Sequence, residues 1–294
     1  MSREDLSDGW LSSVHLPDGN CTRSEELPDT RLNRIVQIIA DQAGKPLSQC
    51  RILDLGCLEG QFTVELALQG ASAIGIEVRR ANLEKAEYLK NAFHLSNVEF
   101  HQDDARNISV EKYGSFDAII CSGLLYHLTA RDALRLLHSM YTMCHRCLVI
   151  DTHISLVGSE TESIGGQTYH GHYFFEHHPD DPAESRERRR LSSADNETSF
   201  WFTHPSLVNA ITDAGFSKVY ECFVPAHLNY GKPGLQHIDR CAFIALKSPA
   251  INLVTSPSAN ALGERFPENS LSYAASSKRP LWRRVAGRLK RLVY

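Results

Sequence analysis

Short apolar runs alternating with stretches of helical period organise the chain from residue 31 to residue 247. Leu32, Ile35, Val36 and Ile39 share one face of residues 31–43, which predicts an amphipathic helix. Within RILDLGCLEGQFTVELALQG (51–70), Ile52, Leu53 and Leu55 form a strand-like run. Phe62, Val64, Leu66, Ala67 and Leu68 then continue with helical spacing. Further strands are expected at 73–77, 98–101, 116–121 and 146–151, with helices at 81–92 and 130–144 between them. Strands and helices alternating at this spacing predict a doubly wound, mostly parallel α/β sheet with helices on both faces. The rhythm breaks over residues 154–202, which show no clear period and read as a lid or acceptor-binding insertion. It returns with a helix at 203–215 and two strands, 218–224 and 240–247, expected to pair antiparallel.

The flanks have a different character. Residues 1–30 form an irregular lead-in that is placed to cover a site, and 248–277 read as a linker of Ser, Ala, Pro and Asn. In residues 278–294, Leu281, Trp282, Val285, Leu289, Leu292 and Val293 fall opposite a face of Arg and Lys. That separation matches an interfacial helix on an anionic membrane, with docking on the chain's own body as the alternative.

Charge sharpens this division. The chain carries −4 overall, but residues 278–294 hold seven Lys/Arg and no acid, leaving −11 on the remainder. An acidic body argues against a polyanion across the main face. No apolar run reaches the ~18 residues of a membrane span, and a cytoplasmic protein, peripheral to a membrane if the tail binds one, is expected. Eight scattered cysteines suit reduced thiols. Cys144 and Cys147 form a C-x-x-C without a second pair at zinc spacing.

The candidate chemistry lies at the carboxyl ends of the strands, where ligands of open parallel sheets bind. Asp54 and Gly56-x-x-x-Gly60 follow the first strand, in a spacing that differs from the Gly-x-Gly-x-x-Gly of dinucleotide binders and disfavours a nicotinamide-dependent dehydrogenase. Glu77 ends the second strand, where a carboxylate accepts both hydrogen bonds of a ribose diol. Asp104 is suited to an exocyclic amine, and Asp54 to an ammonium group. Each acid has an alternative reading as a solvated strand end.

With these residues in view, the chain resembles the class I S-adenosylmethionine-dependent methyltransferases. DLGCLEG (54–60) is similar to their first motif, Glu77 to the ribose-binding acid and Asp104-Ala105 to the adenine-contacting pair. FDAIICSGLLYHL (116–128) is similar to the fourth-strand motif. The resemblance implies a Rossmann-like, seven-stranded fold with one antiparallel strand over residues 31–247. It implies S-adenosylmethionine as cofactor, held by Asp54, Gly56, Cys57, Gly60, Glu77, Asp104, Ala105, Ser122 and Gly123. It implies methyl transfer by in-line displacement, and the aromatic residues of the insertion suit a small-molecule or glycan acceptor. GLLYHL and LVIDTH are also similar to the tRNA wobble-uridine carboxymethyl-transferring branch, from which the chain departs after the fifth strand. A non-catalytic S-adenosylmethionine-binding protein is the other alternative.

Histidine titrates near neutrality, so a base for the acceptor is sought at His127 or His153, each of which has a packing role as its alternative. Tyr126, His170, His172 and Trp201 are expected at the acceptor pocket, with Phe174, Phe175, Phe200 and Phe202 as an aromatic wall or as core. No metal is expected, although His170, His172, Glu176, His177 and His178 include ligand types.

Overall fold

The computed structural model describes residues 9–23, 29–222, 239–248, 254–255 and 265–268. The first helix, α1 (Thr30–Gln42), is capped by Asp29, whose carboxylate accepts from the backbone N–H of Arg31 and Leu32. Alternation then follows as β1 (Arg51–Leu55), α2 (Gln61–Leu68), β2 (Ser72–Glu77), α3 (Arg80–Ala92), β3 (Val98–Gln102), the single-turn α4 (Val110–Tyr113) and β4 (Phe116–Ser122). It continues through α5 (Ala130–Met143) to β5 (Cys144–His153). After the insertion come α7 (His204–Asp213), β9 (Lys218–Cys222) and β10 (Arg240–Leu246).

The main sheet has seven strands in the order β3-β2-β1-β4-β5-β10-β9. Only β10 runs against the rest, pairing antiparallel with both β5 and β9. The two-residue repeat of the strands sends alternate side chains to opposite faces. Leu53, Leu55, Ile119, Cys121, Leu148 and Ile150 pack on α5 and α7. Ile52, Ala118, Ile120, Cys147 and Val149 pack with Ile35 and Ile39 of α1. Both faces are therefore covered, which is why the central strands read as continuous apolar runs.

The insertion is more regular than its sequence suggested. It forms a three-stranded antiparallel sheet of β6 (Glu160–Ile164), β7 (Gln167–Phe175) and β8 (Thr198–Phe202), with the short α6 (Ala183–Arg188) before β8. Ile164 pairs with Gln167 across Gly165-Gly166, both at positive φ, as a two-residue hairpin requires. Tyr169, Phe200 and Phe202 join the main core and fix the small sheet to the large one.

Part of the stretch expected as a linker packs on the domain. Residues 265–268 lie across α7, where Asn209 exchanges hydrogen bonds with both backbone groups of Phe266 and Glu268 accepts from Thr203 and Ser206. The basic segment 278–294 lies outside the described residues. Among the described residues no helix is long and apolar enough to cross a membrane.

Candidate functional site

The carboxyl ends of β1, β2, β4 and β5 open into a cavity of about 870 Å³, inside the ~300–1,000 Å³ range of small-molecule sites. The turn after β1 forms its floor. Gly56 has φ +65°, and Gly56 and Cys57 donate their N–H groups to Ile76 O at 2.9 and 3.0 Å. Only a residue free to adopt positive φ turns the chain here without strain. Glu77, 3% exposed, accepts from Leu58 N at 3.0 Å and Arg79 N at 2.8 Å. Burial raises its pKa, opposed by those two N–H groups.

Asp104 lines the same cavity but is already engaged, because Arg106 forks onto its carboxylate and also reaches Asp195 of the insertion. Ala105, Ser122 and Gly123 complete this half. The Ser122 hydroxyl is buried and unpartnered among the described residues. Arg31 and Arg34, one turn apart on α1, also face the cavity, and no ion pair or hydrogen bond engages either guanidinium among the described residues. Arg31 lies over the Phe62 ring at 5.4 Å.

Two expected cofactor residues lie behind the lining. Asp54 is buried, accepts from the Thr63 hydroxyl at 2.7 Å, and burial pushes its pKa up to about 7. Gly60 has φ +79°, and a Cβ there would sit 2.8 Å from both Ala86 and Phe100. Gly60 serves the packing of α2 against α3 and β3.

The other half of the cavity holds Tyr126, His127, Asp151, His153 and Arg240. Arg240 donates Nε to Asp151 Oδ1 at 2.6 Å, so β10 supplies the partner of an acid at the end of β5. His153 is held on both ring nitrogens: Nδ1 lies 3.3 Å from Asp239 and Nε2 lies 3.3 Å from Arg240. It stacks on Trp201, with ring centres 4.8 Å apart, and Trp201 stacks in turn on Phe174. Trp201 therefore backs the cavity through His153. His127 Nδ1 lies 2.8 Å from Glu176 Oε1.

His170 and His172 do not line the cavity. The backbone of His170 bonds Ser206 and Thr203, and the His172 ring turns outward to Glu160 at 2.8 Å. Their strand spacing places them on β7 beyond the cavity. His177 bonds Ser193 O, and among the described residues no three metal-type side chains converge. The C-x-x-C thiols are buried, and burial pushes Cys144 up to about 11 and Cys147 up to about 12, so neither is a ready thiolate.

Two segments roof the cavity, Leu11–Ser13 from the N-terminal side and Arg190–Asp195 from the insertion. Both converge on Glu59, which is fully buried and accepts from Leu11 N, Ser12 N, Lys85 and Arg190. Arg79 donates to the carbonyls of Arg189, Ser192 and Ser193. These partners lie too far apart in sequence for spacing to show them. The Gly-Gly hairpin was the one local signal that could have announced the small sheet.

The sheet order with a single reversed strand, and a glycine turn and Glu77 at its carboxyl edge, define a class I methyltransferase fold. A family profile described as methyltransferase domain matches residues 52–146. The profile match and the fold together support a class I S-adenosylmethionine-dependent methyltransferase domain. It is 32% identical over 104 residues to the mitochondrial ubiquinone biosynthesis O-methyltransferase of Bos taurus, covering 35% of this chain and 28% of that protein. It is 29% identical over 98 residues to the ubiquinone biosynthesis O-methyltransferase of Acinetobacter baylyi, covering 33% of this chain and 39% of that protein. The chain thus spans well under half the length of these relatives. Among solved structures, it is similar to the N-terminal domain of EvdMO1, crystallised in the presence of SAH and D-fucose. That likeness has a TM-score of 0.62 at 23% identity and covers 84% of this chain and 98% of that one. At that identity the likeness concerns the fold.

Proposed function

We propose that the chain transfers a methyl group from S-adenosylmethionine to a small-molecule acceptor. The division of the cavity carries this reading: a glycine turn, Glu77 and Asp104-Ala105 on one side, and aromatic and histidine side chains on the other. The residues fit the cofactor. Glu77 retains acceptor capacity for a ribose diol, Ala105 and Asp104 flank the place of an adenine, and the unsatisfied Ser122 hydroxyl needs a partner. Arg31, beside the glycine turn and unpaired among the described residues, is the counter-charge for a carboxylate. The bound cofactor supplies a methyl group activated by its sulfonium. The chain supplies alignment of the acceptor with that methyl and exclusion of water by the roof segments. Asp54, behind the turn, supports the floor rather than meeting an ammonium.

A glycan or monosaccharide acceptor is supported by the Tyr126 ring lining the acceptor half of the cavity and by the D-fucose present when the EvdMO1 domain, a protein of similar fold, was crystallised. The test is incubation with S-adenosylmethionine labelled in its methyl group and a fractionated cell extract. Label is expected in the small-molecule or glycan fraction, and label confined to RNA or protein would overturn the reading. Residues 278–294 support a peripheral membrane location. Flotation with anionic liposomes should fail once they are deleted.

A further inference from the structure

Two histidines face the acceptor half of the cavity, and their hydrogen bonds separate them. His153 has both nitrogens engaged and its ring clamped against Trp201, which leaves no lone pair for a substrate. His127 has Nδ1 bound to Glu176, while no partner engages Nε2 among the described residues.

The identity of the partner decides the tautomer. Glu176 is 8% exposed and its carboxylate collects three donors: His127 at 2.8 Å, the Ser199 hydroxyl at 2.9 Å and Ser193 N at 3.0 Å. A carboxylate surrounded by donors stays ionised, and these bonds hold its pKa below the usual value despite burial. An ionised Glu176 only accepts, so Nδ1 carries the hydrogen and Nε2 carries the lone pair. The insertion grips the same turn twice more, through Asn196 to His127 O at 2.8 Å and Phe200 N to Leu128 O at 2.9 Å. The tautomer and the position of the ring are thus both set by the insertion.

We infer that His127 is the proton acceptor of the reaction, that Glu176 is its positioning residue, and that the acceptor's reacting group is a hydroxyl. The inference rests on the methyltransferase reading above. A neutral amine attacks through its lone pair without first losing a proton, and a thiolate or carboxylate needs no base. A hydroxyl gains from one as its oxygen becomes positive. In the step, the acceptor oxygen forms a bond to the methyl carbon and the carbon–sulfur bond breaks with both electrons going to sulfur. The hydroxyl proton passes to His127 Nε2, and the imidazolium formed lies against the Glu176 carboxylate. The products are a methyl ether and S-adenosylhomocysteine, and His127 then releases its proton to water. Tyr126, the other titratable group touching the His127 ring, is a poor substitute because burial raises its phenol pKa.

The first arm of the test needs no acceptor. In the full chain labelled with 15N-histidine, long-range proton–nitrogen correlation at alkaline pH reads the His127 tautomer, assigned by its disappearance in His127→Asn. A proton on Nδ1 and a pyridine-type Nε2 are expected. A proton on Nε2 would overturn the inference, while S-adenosylhomocysteine calorimetry on the same sample reports separately on the reading beneath it. The second arm classifies the label transferred to the small-molecule fraction. A methyl ether is stable to base and passes a cation exchanger at low pH. Base-volatile label would mean a methyl ester and cation-retained label an amine, and either would overturn the inference. Turnover should fall about 10²–10⁴-fold in His127→Asn and roughly tenfold or more in Glu176→Gln. S-adenosylhomocysteine affinity should stay within about twofold in both, the split between turnover and binding that a purely structural role would not give.

Discussion

Removing the Glu59 carboxylate should loosen both roof segments and leave a cation buried beneath them. Four donors meet there: Leu11 N and Ser12 N at 2.8 Å, and Lys85 Nζ and Arg190 Nη1 at 3.0 Å. In Glu59→Ala, Arg190 has a 22% exposed side chain and can turn to water. Lys85, 10% exposed, cannot. Breaking a buried pair at one end costs about 3–5 kcal/mol. Lys85 retains Gly9 O at 2.8 Å and the Trp10 ring at 5.1 Å, which offset roughly 1 kcal/mol. The net loss is about 2–4 kcal/mol, a fall in Tm of about 4–16 °C for a domain of this size. Urea unfolding followed by circular dichroism measures it. Adding Lys85→Met should recover part of the loss, because no unpaired charge is then buried. A Glu59→Ala protein within about 0.5 kcal/mol of wild type, or a double variant no better than the single, would refute the reasoning.

Asp54 makes stability depend on pH. Its folded pKa of about 7 lies above the ordinary 3.8, so the folded chain holds an extra proton between those values. Stability therefore falls as pH rises through that window, by up to ~4 kcal/mol. Asp54→Asn removes this contribution to the slope, so urea unfolding at pH 5 and pH 8 should show the variant gaining on wild type at the higher pH; a constant difference would contradict the assignment. At Gly60, alanine meets both positive φ and two contacts at 2.8 Å, whereas at Gly56 its Cβ would lie 3.5 Å from Leu124. Gly60→Ala should cost about 2–5 kcal/mol and Gly56→Ala about 1–2, and equal losses in chemical denaturation would show that packing at Gly60 is not the cause.

The central sheet was legible because its strands are buried on both faces and sit at regular spacing. That Glu77, Gly56 and Ala105 line the cavity was legible because a strand end fixes where a side chain stands in an open sheet. The insertion was not, because β7 buries only Tyr169 and Gly171 of its nine residues, leaving no alternation to read. The site's second half depends on partners brought from afar. Arg240 reaches Asp151 from β10, and Glu176 reaches His127 from the insertion. His127 and His153 were therefore indistinguishable in sequence and became distinct only through what their second nitrogens meet. His170 and His172 belong to a strand whose outward face the sequence did not reveal. Asp54 and Gly60 stand behind the lining of the cavity, because a residue that builds a turn need not line it.

The most direct measurement is calorimetric titration of the full chain with S-adenosylhomocysteine, alongside Glu77→Ala. One site per chain is expected, weakened at least about tenfold in the variant by loss of a charged acceptor. No heat with the wild-type chain, or equal binding by Glu77→Ala, would contradict the account.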